Sequence, residues 1–275
     1  MKRRLIMDTV PLWEKAPVSG EHDPEDPFEP YLKTYFLEKA PACVLICPGG
    51  GYEFVSEDIE GDAAAKKFNE MGISAAYLNY RVFPYTQPDQ ISDAKRAMRY
   101  LRYNAEKFGY PKDKIGIMGF SAGGHLAGCT AVHFEEEENP KDDVDRESSR
   151  PDFQILCYPV ITTDMSFAHA GSIIALLGKQ LENDELLDYY SLEKQVTADT
   201  PQAFIWHTAC DSEVPVKNSL EYAKSLAAHK IPVELHIYPF AQHGLAFGKF
   251  KHTEKWVCDL ECWLKDIILT DEAAQ

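Results

Sequence analysis

The sequence is poor in positive charge: 28 lysines and arginines stand against 44 aspartates and glutamates, a formal net charge of −16. Neutralising phosphates needs basic patches, so nucleic acid is excluded as a partner, and an anionic membrane surface with it. Long apolar runs are missing too, and nothing approaches the ~18 residues of a membrane span. After Met1-Lys2-Arg3-Arg4 only Leu5-Ile6-Met7 precede Asp8, too little for the apolar core of a secretion signal, so a cytoplasmic protein is expected. The cysteines are odd in number and dispersed: Cys43, Cys47, Cys129, Cys157, Cys210, Cys258 and Cys262. Such a set suits reduced thiols better than a disulfide framework. Cys258 and Cys262 lack the second pair that a zinc site needs. The glycines at 49–51 are followed by no G-K-[ST] and do not fit G-x-G-x-x-G. Neither a metal nor an organic cofactor is expected.

What is present is an ordinary globular composition, 45% hydrophobic over 275 residues, enough chain to bury a full core without staples. Two early strands are expected at 9–15 and 31–38, joined by an acidic, proline-rich loop. The unbroken apolar run Cys43-Val44-Leu45-Ile46-Cys47 predicts a strand buried on both faces. A helix with an acidic first turn (Glu57, Asp58, Glu60) should run from after Ser56 to Met71, followed by a strand at 74–80. Ile91, Ala94, Met98, Leu101, Ala105 and Phe108 draw one apolar helical stripe, stopped by Gly109 and Pro111. Beyond it the pattern predicts strand 114–120, helix 121–134, a polar surface loop 135–150, strand 153–160, strand 203–208, helix 215–229, strand 233–238 and helix 252–269. Residues 161–200 break the alternation with two short helices and read as an insertion. The whole predicts one α/β domain over residues 1–275, with a mostly parallel central sheet covered by helices on both faces.

One motif carries chemistry. Gly119-Phe120-Ser121-Ala122-Gly123 matches G-x-S-x-G, directly after an apolar strand and at the start of a helix, which is the setting the motif requires. A serine hydroxyl needs a base. Of the histidines that follow, His229 and His252 fall on or beside helices and His236 within a strand. His243 sits in a loop just past that strand, followed by Gly244, which makes it the candidate base. The candidate acid, Asp211, leaves the preceding strand at the same sheet edge, ahead of its rivals Asp164, Asp184, Asp188 and Glu213. It should hold the histidine tautomer and stabilise imidazolium. Backbone amides of Ala122 and of Gly50 or Gly51 are the candidate oxyanion donors.

Together these pieces resemble the α/β-hydrolase fold, and within it the hormone-sensitive-lipase-like and acetylxylan-esterase-like esterases. The likeness rests on Pro48-Gly49-Gly50-Gly51-Tyr52, Asn79-Tyr80-Arg81-Val82 with Asp93, the stretches 119–127 and 206–215, and His243-Gly244-Leu245. It implies that 161–200 forms a small helical cap over the site. Pro48 replaces the histidine that begins the glycine loop in such relatives, so the anchoring of this loop must differ. His125 and His207 are expected to be structural, with support of the triad as the rival role. The resemblance implies a serine esterase acting on short acyl esters, acetyl groups on carbohydrates such as xylo-oligosaccharides above all. A general carboxylesterase, an arylformamidase or peptidase with the same triad, and a non-catalytic binding protein on this fold are the alternatives.

Overall fold

The apolar run at 43–47 lies in the middle of the sheet, where both faces are covered. The computed structural model describes residues 4–22, 24–25 and 27–270. Among these the strands are β1 Leu5–Pro11, β2 Tyr31–Leu37, β3 Cys43–Cys47, β4 Ser74–Asn79, β5 Ile115–Phe120, β6 Gln154–Cys157, β7 Ala203–Thr208 and β8 Val233–Tyr238. They form one sheet in the order β1-β2-β4-β3-β5-β6-β7-β8. The pairs β1–β2 and β2–β4 are antiparallel, and every pair from β4 to β8 is parallel. Strands β3 to β7 are buried at every residue, as parallel strands between two helical layers must be.

The helices are α1 Ala63–Glu70, α2 Asp89–Tyr103, α3 Ala105–Phe108, α4 Ser121–Val132, α5 Ala170–Leu177, α6 Asp184–Tyr189, α7 Lys217–Ala228 and α8 Trp256–Trp263. Alternate residues along each strand face opposite layers. Leu45, Ile117, Leu156 and Ile205 pack with Met98 of α2, Leu126 of α4 and Leu226 of α7. Val44, Ile46, Met118 and Trp206 pack with Phe68 of α1 and Trp256 and Leu260 of α8. The doubly covered, mostly parallel sheet expected from the alternation is therefore present. Residues 161–200 carry α5 and α6 and lie against α4 and the loop before α2: Tyr190 O accepts from His125 Nε2, and Gln87 N donates to Leu176 O.

Several expectations need correction. The first strand is at Leu5–Pro11, not 9–15, and is largely exposed at the sheet edge; an edge strand has no two-sided burial to mark it. The predicted helix over 91–108 breaks at Asn104, whose side chain bonds back to Tyr100 O. The final helix is divided into a turn at Thr253–Lys255, α8, and a wide turn at Leu264–Ile268. The loop 135–150 is not simply solvated. Arg96, Arg99 and Arg102, three apart on α2, lie on one face. Arg96 grips Asp142 and Asp145, Arg99 donates to the carbonyls of Glu135 and Glu147, and Arg102 to those of Ser148 and Arg150. Asp145 and Ser149 are buried as a result.

Candidate active site

The turn from β5 into α4 is sharp enough to put Ser121 in the left-handed region, at φ 52°. For a residue with a side chain this costs about 1–3 kcal/mol and persists only where the surroundings impose it. Here they do. A Cβ on Gly123 would lie 2.1 Å from Cys47 O and 2.3 Å from Pro48 O, so the turn is pressed directly against the end of β3. That contact sets Ser121 beside the glycine loop.

Ser121 Oγ donates to His243 Nε2 at 2.8 Å, and His243 Nδ1 donates to Asp211 Oδ2 at 2.8 Å. The three residues follow β5, β8 and β7 in turn, so parallel pairing alone collects them at one sheet edge. Asp211 Oδ1 accepts from the amides of Glu213 and Val214 at 3.0 and 2.9 Å. His207, buried in β7, donates from Nε2 to Val214 O at 2.9 Å, with Asp211 Oδ2 at 3.4 Å. Burial pushes the Asp211 carboxyl upward, but the hydrogen bonds of His207, His243 and Val214 outweigh it and hold it well below the usual carboxylate range. His207 thus braces the acid. Cys210 Sγ and Thr208 Oγ1 both donate to Ala241 O, at 3.5 and 3.1 Å, tying the aspartate loop to the histidine loop. Of the rivals, Glu213 borders the same cleft but gives its backbone amide to Asp211, while Asp164 caps Ser166 N, Asp188 pairs with Lys194 and His236 meets Glu234.

Gly50 and Gly51 line the same cleft, at φ 133° and 68°. A Cβ on Gly50 would fall 2.0 Å from Phe54 O. The loop closes on itself through Glu53 N to Gly50 O and Ser56 N to Gly49 O. Among the described residues the Gly50 and Gly51 amides have no acceptor. Ala122 N, in the first turn of α4, has no intrahelical one. Pro48 is held in a different manner from a loop histidine. Tyr80 OH donates to Pro48 O at 2.7 Å, Gly49 N donates to Glu60 Oε2 at 2.8 Å, and Tyr52 OH donates to His125 Nδ1 at 2.9 Å. His125 is fully enclosed, and burial pushes its pKa down to about 4, so the ring stays neutral as this pattern requires.

The cleft has a volume of about 320 Å³. Besides Ser121 and His243 it is bordered by Glu53, Phe54, Glu60, His169 and Glu213. Four residues here escaped sequence reasoning. Glu60 reads as one more acid in a helix's first turn, yet the wide turn at Glu57–Asp62 buries it. Tyr158, at φ 38°, stacks edge-on against His243 with ring centroids 4.8 Å apart. His169 begins α5, accepting from Ser172 N, and borders the cleft from the insertion. Phe54 stands exposed at the rim. Among the described residues no three histidines, cysteines or acids are grouped to hold a metal ion.

The model of the BD-FAE family matches residues 30–226, well over half of the sequence. The chain belongs to the BD-FAE family. The acetyl ester-xyloside bifunctional hydrolase of Caldicellulosiruptor lactoaceticus is 41% identical and superposes with a TM-score of 0.90, covering 96% of this chain and 97% of that one. Endo-1,4-beta-xylanase B of Butyrivibrio fibrisolvens is 42% identical over 220 residues, 78% of this chain and 34% of that protein. The acetylxylan esterase of Xylanibacter ruminicola is 34% identical over 245 residues, 87% and 49%. The chain therefore spans about a third to a half of the length of these two curated relatives. With the sheet order above, the family's α/β-hydrolase fold is the fold of this chain.

Proposed function

We propose that this chain is a serine esterase that removes short acyl groups, acetyl above all, from carbohydrates such as xylo-oligosaccharides. The observation that carries the reading is the unbroken relay Asp211–His243–Ser121 at two 2.8 Å hydrogen bonds, in a cleft also lined by Gly50 and Gly51, whose amides have no acceptor among the described residues. Ser121 Oγ attacks the ester carbonyl carbon while His243 Nε2 takes its proton. Asp211 steadies the imidazolium. The oxyanion is met by the amides of Ala122 and of Gly50 or Gly51. The intermediate collapses, His243 returns the proton to the departing sugar oxygen, and the acyl group remains on Ser121. Water activated by His243 then releases the acid.

The carbohydrate preference draws on the printed names of the Xylanibacter and Caldicellulosiruptor proteins. It is also supported by Phe54, an exposed aromatic ring at the rim of the cleft, of the kind against which the apolar face of a sugar can stack. α5 and α6 act as the cap, contributing His169 to the wall. The exposed thiols Cys210, Cys258 and Cys262 are all free, which supports action in a reducing, cytoplasmic setting, and no described helix is long and apolar enough to cross a membrane.

The test is acetate release from acetylated xylo-oligosaccharides, set against tributyrin, an aryl formamide and an aryl xyloside. Ser121→Ala should lower kcat on p-nitrophenyl acetate by about 10⁴–10⁶-fold with an unchanged circular dichroism spectrum. Parental activity in that variant refutes the assignment.

A further inference from the structure

Glu60 is a carboxylate that the catalytic scheme does not use. It is 5% exposed, and among the described residues no lysine or arginine pairs with it. A buried acid without a cation is expensive unless its oxygens are saturated with donors. Glu60 Oε2 accepts from Gly49 N at 2.8 Å and Oε1 from Tyr158 OH at 2.7 Å. Tyr158 OH accepts in turn from Ala246 N at 3.0 Å, and its ring packs on the His243 imidazole. One carboxylate thus joins the amide preceding the oxyanion glycines to the loop that carries the histidine. The wide turn at Glu57–Asp62 directs it inward, leaving Asp58 and Ile59 exposed; such turns concentrate at functional sites.

Resting on the esterase reading above, we propose that Glu60 is a positioning residue that couples the oxyanion loop to His243 and supplies a second negative charge to the imidazolium formed during catalysis. Both of its contacts are donors aimed at it, an arrangement that suits the ionised form. Burial pushes the Glu60 carboxyl up and on balance holds it above its ordinary value, although the Tyr158 and Gly49 hydrogen bonds and the His243 imidazolium pull it back down. Glu60 in turn raises the pKa of its buried neighbours Tyr80, Cys157 and Tyr158, which burial already holds uncharged. His243 faces Asp211 on its other nitrogen, with His169 and Glu213 across the cleft.

The experiment is the pH profile of kcat/KM on p-nitrophenyl acetate for the parent, Glu60→Gln, Glu60→Asp and Tyr158→Phe, with circular dichroism of each. Glutamine retains the shape and removes the charge, so imidazolium loses a favourable neighbour. The acidic limb should move to lower pH by roughly 0.5–1.5 units, and kcat should fall about tenfold. Aspartate retains the charge but is too short to reach both Gly49 and Tyr158, so kcat should fall with the limb nearly unmoved. Should Glu60→Gln fail to fold, Tyr158→Phe takes its place. It removes a donor that favours ionised Glu60, and the limb should move in the same direction. A folded Glu60→Gln with a parental profile overturns the proposal. So does a loss of rate with an unmoved limb in that variant, the result of a merely structural role. Failure of the esterase reading is distinguishable, because then the parent is inactive or Ser121→Ala retains activity.

Discussion

Replacing Asp211 by asparagine exchanges one oxygen for an NH₂ group, and the surroundings decide which way the new amide faces. On the Oδ1 side stand two backbone donors, Glu213 N at 3.0 Å and Val214 N at 2.9 Å. An NH₂ placed there would leave both amides without an acceptor, at about 1–3 kcal/mol each. The asparagine oxygen must therefore stay on that side, and the NH₂ must point at His243 Nδ1, where a proton now sits. To avoid two donors facing each other, His243 takes the other tautomer, with its proton on Nε2. Nε2 is then no longer an acceptor for Ser121 Oγ, 2.8 Å away, and general-base catalysis stops. Loss of the carboxylate also removes the charge that stabilises imidazolium. The expected fall in kcat is on the order of 10³–10⁴, about 4–5.5 kcal/mol of transition-state stabilisation. The assay is initial-rate hydrolysis of p-nitrophenyl acetate across pH 6–9, with thermal unfolding to establish that the fold persists. A folded Asp211→Asn variant within tenfold of the parent would show that His243 is not oriented by this residue, and the tautomer argument would fall.

Two further outcomes concern stability. Arg81 is fully buried and donates from Nη2 and Nε to Asp93 at 2.6 and 3.0 Å, so Asp93→Ala strands a buried cation with only Asp89 at 3.4 Å as an opposite charge. This should remove about 3–5 kcal/mol and lower Tm by roughly 6–15 °C; a shift under about 2 °C contradicts it. His125 has its folded pKa depressed from 6.5 to about 4, so the unfolded chain takes up a proton first as pH falls. Stability is complete above pH 6.5 and declines below it, by about 2 kcal/mol between pH 7 and pH 5, and the decline ends near pH 4. Urea unfolding of His125→Gln, which has no such proton to bind, should show a shallower dependence over that range.

Legibility in the sequence followed physical distance along the chain. The strands covered on both faces were readable because double-sided burial demands continuous apolar runs, and β7 begins and ends where its residues indicate. β1 was misplaced because an exposed edge strand is under no such demand. The turn around Ser121 was readable because its glycines, strand and helix are contiguous. Glu60 and Tyr158 were not, since each owes its place to a partner far away in sequence: they are 98 residues apart and share a hydrogen bond. The arginines of α2 fell in the same class, because their acceptors are carboxylates and carbonyls of a loop 36 to 49 residues on.

By itself the sequence determined the fold class and singled out the candidate reacting groups, since alternation of apolar segments dictates layers and a serine on a glycine elbow marks a candidate nucleophile. The tertiary structure alone decided how those groups are held. Parallel strands deliver Ser121, Asp211 and His243 to one edge, but the distances between them are set by Gly123 pressing on Cys47 and Pro48, by His207 behind Asp211, and by Tyr158 against His243. Hydrogen bonds and close contacts depend on positions to within a fraction of an ångström, and only packing of the whole chain supplies that.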